Sequence, residues 1–234
     1  MSQTTAARVR SWILPIGIIA IAGLLITLVV LQVTSGRSAP GGAAAEQPDE
    51  MDLSYIESRD PSDVQSAGPL DAPVGLVVYS DYQCPFCAKW TQDTLPTMLE
   101  YAERGDLRIE WRDVNQYGAD SERAALAAHA AAKQGKFWEF HDALFPDGEH
   151  LAPHELTEEA LTGLAGKLGL DTAQFVADLE APETLELVRG YATSGQQLGV
   201  SGTPTFVLGG EPIVGAQPSG VFIDAFERAL AKVG

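Results

Sequence analysis

Both cysteines of this 234-residue chain fall within four residues, Cys84-Pro85-Phe86-Cys87. They follow Val74-Gly75-Leu76-Val77-Val78-Tyr79, a valine-rich apolar run bounded by turn residues, which reads as a buried strand. A strand running straight into this motif predicts a helix that starts at Cys84. Pro85 suits the first helical position, because proline lacks the amide hydrogen that the first turn leaves unpaired.

Two thiols at C-x-x-C spacing fit a dithiol that opens and closes as a disulfide. The same spacing also serves as half of a zinc site, or as a structural disulfide that never turns over. A structural zinc ion normally takes four ligands, and the chain has no second C-x-x-C. The four histidines, His129, His141, His150 and His154, lie far downstream. His150 and His154 have the internal spacing of a ligand pair but flank Pro153 in a loop-like stretch. Redox use is therefore the favoured reading, with no metal and no other cofactor expected.

Position then assigns the roles. Thiolate is the reactive form, and a free cysteine with a pKa of about 8.5 is mostly protonated at neutral pH. Cys84 at a helix N-terminus meets unpaired amides and a dipole that favour an anion. Cys87 sits one turn further in and less exposed. Cys84 is the expected attacking thiol and Cys87 the resolving one.

The N-terminus bears on where this chemistry happens. Trp12 to Leu31 is twenty residues without a charge, enough at about 1.5 Å per residue to span a hydrocarbon core of about 30 Å. Arg8 and Arg10 precede it, while Arg37 and then Glu46, Asp49, Glu50 and Asp52 follow. That asymmetry predicts a cytoplasmic N-terminus over residues 1–11, a single-pass signal-anchor over 12–33 and an extracytoplasmic domain in the cell membrane. The small residues after the span leave a cleaved signal peptide as the alternative, although the apolar segment exceeds the usual 7–15-residue core of one. Outside the cytoplasm, disulfides persist. The net charge of −17, from 15 basic and 32 acidic residues, argues against a nucleic-acid surface.

Residues 34–50 are rich in Ser, Gly, Ala and Pro and read as a flexible linker. Residues 51–234 are enough for one domain. A short strand is expected near Leu53 to Ile56. Lys89 to Arg104 reads as a helix kinked at Pro96, with Leu95, Met98, Leu99 and Ala102 on its apolar face. Leu107-Arg108-Ile109-Glu110-Trp111-Arg112 alternates as a second strand, with Trp111 packed on the sheet. Residues 121–199 are helical in pattern, dense in alanine from Ala124 to Ala132. Within them Asp171 and Gln174 suggest a capping box. Phe137, Trp138 and Phe140 read as core, and His141 as a satisfied core or surface histidine. Thr205 to Leu208, a Gly209-Gly210 turn and Pro212 to Val214 read as a hairpin, followed by a helix from about Ser219 to Lys232. Without the helical block, a βαβ–ββα unit remains.

Three segments carry a family resemblance: Tyr79-Ser80-Asp81-Tyr82-Gln83-Cys84-Pro85-Phe86-Cys87, Gly135-Lys136-Phe137-Trp138-Glu139-Phe140-His141, and Gly199-Val200-Ser201-Gly202-Thr203-Pro204-Thr205-Phe206. Over about residues 55 to 233 the chain resembles the DsbA-like thioredoxin-fold thiol-disulfide oxidoreductases in their membrane-anchored bacterial form. The resemblance implies an α/β thioredoxin fold with an inserted helical domain behind a single N-terminal transmembrane helix. It implies that Pro204 is a cis proline facing the cysteines. Thr203 and Pro204, with Pro85 and Phe86, would then form the wall that holds an extended substrate. The implied partners are exported cysteine-containing proteins and a membrane redox partner, DsbB-like or VKOR-like, that resets the pair. Disulfide formation is the expected direction. A reductase or isomerase is the alternative, and a non-redox peptide-binding module a third reading.

Two departures stand out. Strong oxidants of this family carry histidine between the cysteines, where this chain has Phe86. Many thioredoxin-fold proteins place a buried acid six residues before the first cysteine, where this chain has Val78. Asp81 is nearer, read either as a proton relay or as a solvated helix-entry residue.

Overall fold

The computed structural model describes residues 52–233. The expected cytoplasmic segment, membrane anchor and linker, residues 1–50, lie outside them. Among the described residues no helix is long and apolar enough to cross a membrane.

The domain is built on a five-stranded mixed sheet in the order β1-β3-β2-β4-β5. These strands are β1 (Ser66–Ala67), β2 (Val74–Ser80), β3 (Leu107–Asp113), β4 (Thr205–Leu208) and β5 (Glu211–Val214). β2 runs parallel to β3, from Val74 beside Leu107 to Ser80 beside Asp113, and antiparallel to β4. All seven of its residues are buried. A central strand covered on both faces has no side for polar residues, which is why Val74–Tyr79 reads as a continuous apolar run.

β3 departs from its sequence pattern. Its alternation predicts one wet face, yet all seven residues are buried. The segment 57–67 covers that face and supplies polar partners. Glu110 accepts from the backbone amides of Ser58 at 2.9 Å and Arg59 at 2.7 Å. Arg112 pairs with Asp63 and Glu110, each at 2.8 Å, and Arg108 donates to the Gly68 and Asp60 carbonyls at 3.0 Å. Buried charges persist when they are paired and hydrogen-bonded in this way. β1, only two residues long, pairs antiparallel with β3 and is too short to leave a periodic signal. The strand expected at Leu53–Ile56 is instead a 3-10 turn, Ser54–Ile56. The Asp52 carboxylate accepts from the Ser54 amide at 2.9 Å, a local bond that bends the chain out of an extended path.

The single kinked helix expected from Lys89 to Arg104 is two helices, α1 (Pro85–Asp93) and α2 (Leu95–Glu103). The break falls at Thr94, which is non-helical at φ −126°. Pro96 in the first turn of α2 cannot donate to a preceding carbonyl, so the helix restarts rather than bends.

Between β3 and β4 lies the helical insertion, close to the expected 121–199. It comprises α3 (Ala119–Lys133), α4 (Phe137–Leu144), 3-10 turns at Pro146–Gly148 and Pro153–Glu155, α5 (Glu158–Lys167), α6 (Thr172–Leu179) and α7 (Pro182–Gln197). The alanines of α3 from Ala124 to Ala132 are buried, and their small side chains let α4, α6 and α7 pack around it. At α6 the capping box forms by half. Asp171 accepts from the Ala173 and Gln174 amides at 2.9 and 3.0 Å, while the Gln174 side chain turns to Asp178. α7 meets the end of β3 closely: a Cβ on Gly195 would lie 2.7 Å from Val114 Cγ1.

Gly209 and Gly210, at φ +55° and +81°, make the β4–β5 turn in the left-handed region that favours glycine. α8 (Ser219–Val233) then lays Phe222, Ala225, Phe226 and Ala229 on the sheet. Under the cysteine motif, Trp90 packs on Phe206 and Phe222 with ring centroids 4.6 and 5.6 Å apart. Full burial of each such phenylalanine contributes about 1.5–3 kcal/mol. Phe137 and Phe140 are buried as expected, while Trp138 is partly covered and packs edge-on against Trp111.

Candidate active site

Cys84 is the N-cap of α1, in extended conformation (φ −90°, ψ 118°), with Pro85 at the first helical position. The turn is closed by the Cys84 amide on the Asp81 carbonyl at 3.1 Å and by the Cys87 amide on the Cys84 carbonyl at 3.0 Å. The Phe86 and Cys87 amides also face the Cys84 sulfur. This is the anion-favouring end of a helix.

The two thiols are free and differ sharply. The Cys87 thiol donating to the Cys84 sulfur is the largest influence on Cys84. Together with Thr203 and the two amides it outweighs burial and brings the Cys84 pKa down to about 5. Burial, followed by its interaction with Cys84, pushes the Cys87 thiol well above the ordinary range. Ser80 and the Asp81 amide lie beside Cys87. The pair is thus one ready thiolate and one held proton, the division of labour that thiol-disulfide exchange needs.

The opposite wall comes from far along the chain. The Thr203–Pro204 peptide bond is cis. The Thr203 carbonyl accepts from the Cys84 thiol at 3.3 Å. Phe86 points out of the motif, 61% exposed, while Cys84 itself is buried.

Asp81 is fully buried rather than solvated. Its carboxylate accepts from the Gln83 amide at 2.8 Å, the Tyr117 amide at 3.1 Å and the Ser121 hydroxyl at 2.6 Å. It therefore ties the motif loop to the start of the helical insertion. His141 is also buried, between the Tyr82 hydroxyl at 3.1 Å and the Thr91 hydroxyl at 3.3 Å, and burial lowers its pKa to about 3. Among the described residues no group of three His, Cys, Asp or Glu side chains is arranged to hold a metal ion.

Two neighbours escape a sequence reading. Val78 occupies the position six residues before Cys84, but Asp113, the register partner of Ser80 on β3, is a buried acid on the adjacent strand. Burial raises its pKa to about 7 against hydrogen bonds from Trp111 at 2.9 Å and Gln65 at 3.3 Å. Its only sequence signal is an acid ending a strand-like run. Tyr117, in the loop after β3, donates its amide to Asp81 and has its pKa raised chiefly by the charge on Cys84, and nothing in its local sequence marks it.

Comparison with known proteins agrees with this geometry. Residues 62–225 match the thioredoxin family model. A probable disulfide bond formation protein D of Bacillus anthracis is 32% identical over 173 residues, covering 72% of this chain and 77% of the relative. A Na(+)/H(+) antiporter NhaA of Herminiimonas arsenicoxydans is also 32% identical, over 83% of this chain, but the chain spans only 28% of that relative's length. Among solved structures, oxidised BdbD from Bacillus subtilis superposes with a TM-score of 0.63 at 26% identity, covering 71% of this chain and 92% of BdbD. The chain belongs to the DsbA-like thioredoxin-fold family of thiol-disulfide oxidoreductases.

Proposed function

We propose that this protein forms disulfides in exported cysteine-containing proteins, with Cys84 attacking and Cys87 resolving. The observation that carries the reading is the lowered pKa of Cys84 beside the raised one of Cys87. A thiolate stabilised in the dithiol state favours that state, so the disulfide state is the stronger oxidant. In the forward direction a substrate thiolate attacks Cys84 Sγ, the Cys84–Cys87 bond breaks and the electron pair leaves on Cys87. A second substrate thiolate then attacks the substrate sulfur of the mixed disulfide, and Cys84 leaves as thiolate. The substrate loses two electrons and the pair gains them. Pro85, Phe86, Thr203 and Pro204 form the wall along which an extended substrate lies, and Asp81 holds the loop that carries Cys84.

In this reading residues 12–33 anchor the domain outside the membrane, and a DsbB-like or VKOR-like membrane partner reoxidises the pair. Phe86 supports a second reading, a reductase or isomerase, because it removes the cation that family oxidants carry beside the thiolate. Trapping the thiols in cells with a blocking reagent separates the two: a mostly oxidised pair supports the oxidase, a mostly reduced one the alternative. A Cys87→Ala variant should accumulate mixed disulfides on Cys84. Full function after replacement of Cys84 would leave only a peptide-binding role.

A further inference from the structure

His141 puts a polar ring inside an aromatic cluster. It is fully buried, and the rings of Tyr82, Trp111, Phe137, Trp138 and Phe145 surround it with centroids 4.3 to 5.8 Å away. An imidazole in such a place costs free energy unless its nitrogens are hydrogen-bonded. Among the described residues the ring nitrogens have two partners, both hydroxyls: that of Tyr82 lies 3.1 Å from Nδ1 and that of Thr91 lies 3.3 Å from Nε2. Both hydroxyls belong to the cysteine segment. Tyr82 stands two residues before Cys84, and Thr91 lies one helical turn after Cys87 on α1. Burial holds the imidazole neutral, with its pKa at about 3, so it carries a single N–H. One hydroxyl therefore donates to the ring and the other accepts from it.

We propose that His141 is a positioning residue of the thiol pair: from α4 of the helical insertion it ties Tyr82 to Thr91, and so fixes the first turn of α1 around Cys84. The proposal rests on Cys84 as the reactive thiolate, as above, and adds what keeps the donors of that thiolate in place. The Phe86 and Cys87 amides and the Cys87 thiol all serve the Cys84 sulfur, and all lie between the two residues that His141 ties together. Hydrogen bonds weaken steeply as their angles close. A phenylalanine at 141 would fill the space but hold neither hydroxyl. The first turn of α1 would relax, the donors would drift from the sulfur, and the dithiol state that carries the thiolate would lose support. His141 itself exchanges no proton and forms no bond in the reaction.

The test equilibrates the full chain in glutathione buffers and titrates its thiolate absorbance. Tyr82→Phe and Thr91→Val each remove one hydroxyl with little change of shape. Each should shift the dithiol–disulfide equilibrium ~3- to 10-fold toward the disulfide, the size of one modest net hydrogen bond, and move the thiolate titration to higher pH. In a His141→Phe chain the tie is already gone, so the same two substitutions should add less than ~twofold. A shift below ~threefold in either single variant overturns the proposal, as do shifts of ~twofold or more in the His141→Phe background. A lower denaturation midpoint with an unmoved thiolate titration would mean that His141 serves packing alone, and also overturns it. If His141→Phe does not fold, the Tyr82→Phe, Thr91→Val double variant decides instead. A tie is broken only once, so its shift should match the larger single shift, and a sum of the two overturns the proposal. A wild-type pair that exchanges normally with glutathione keeps the oxidoreductase reading whatever the variants show. If the wild type fails to exchange, both fall.

Discussion

The Cys84 thiol donates to the backbone carbonyl of Thr203 at 3.3 Å, although the two residues are 119 positions apart in the sequence. The contact joins the end of β2 to the start of β4, which are hydrogen-bonded neighbours in the sheet. The sheet thus holds the reactive thiol and its wall at a fixed distance, and the insertion between them leaves that distance unchanged.

The Cys87 thiol is the largest support of the Cys84 thiolate, so removing it should raise the Cys84 pKa. Thiolate absorbance should titrate in the order wild type, Cys87→Ser, Cys87→Ala from low to high pH. Serine keeps a donor and alanine does not. Equal midpoints for serine and alanine would show that the helix terminus alone holds the thiolate.

The same shift makes stability depend on pH. Cys84 sits at about 5 in the folded dithiol form against an ordinary 9.0. Between those values the unfolded chain binds more protons, so the stability of the dithiol form rises with pH. The disulfide form lacks this group. Denaturant unfolding should therefore show the dithiol form gaining on the disulfide form as pH rises from 5 to 9, and losing that advantage as pH falls through 5.

His141 predicts a second, independent acid effect. Its pKa is lowered by burial to about 3 from 6.5, so it favours folding above 6.5 and loses that contribution as pH falls toward 3. His141→Phe should flatten the stability curve between pH 6 and 4 by one proton, about 1.4 kcal/mol per pH unit. An unchanged slope would mean that His141 titrates normally.

Asp81 accepts three hydrogen bonds inside the protein. Asp81→Ala leaves those donors unpaired and should lower stability by roughly 2–4 kcal/mol. Thiol exchange should slow as well, since the loops bearing Gln83 and Tyr117 lose their common tie. A purely relay role would instead change the pH profile of exchange with little loss of stability.

Phe86 projects into solvent, so Phe86→His adds an imidazole without displacing packing. A cation near the thiolate should move the glutathione equilibrium about tenfold toward the dithiol. No movement would show that residue 86 does not set the potential of this pair.

The legibility of the sequence follows from where each constraint lies. β2, the motif, α1 and the Gly209-Gly210 hairpin are visible because local signals and tertiary demands coincide there. β3 misleads, because its alternating charges announce a wet face that the segment 57–67 then covers. The turn at Ser54–Ile56 and the break at Thr94 depend on single hydrogen bonds or one proline, below the resolution of any periodic pattern. The cysteines and Pro204 are legible as motif residues. Tyr117 and Asp113 are not, because each reaches the site through a neighbouring strand rather than through its own sequence.

The order of the site's parts along the chain also sets the order of their manufacture. At about 5–20 residues per second, Thr203 is made roughly 6–24 s after Cys84. During that interval the nascent chain carries both thiols and the helix N-terminus but not the segment that closes over them. Until Thr203 is made, the carbonyl that accepts from the Cys84 thiol in the finished fold does not exist.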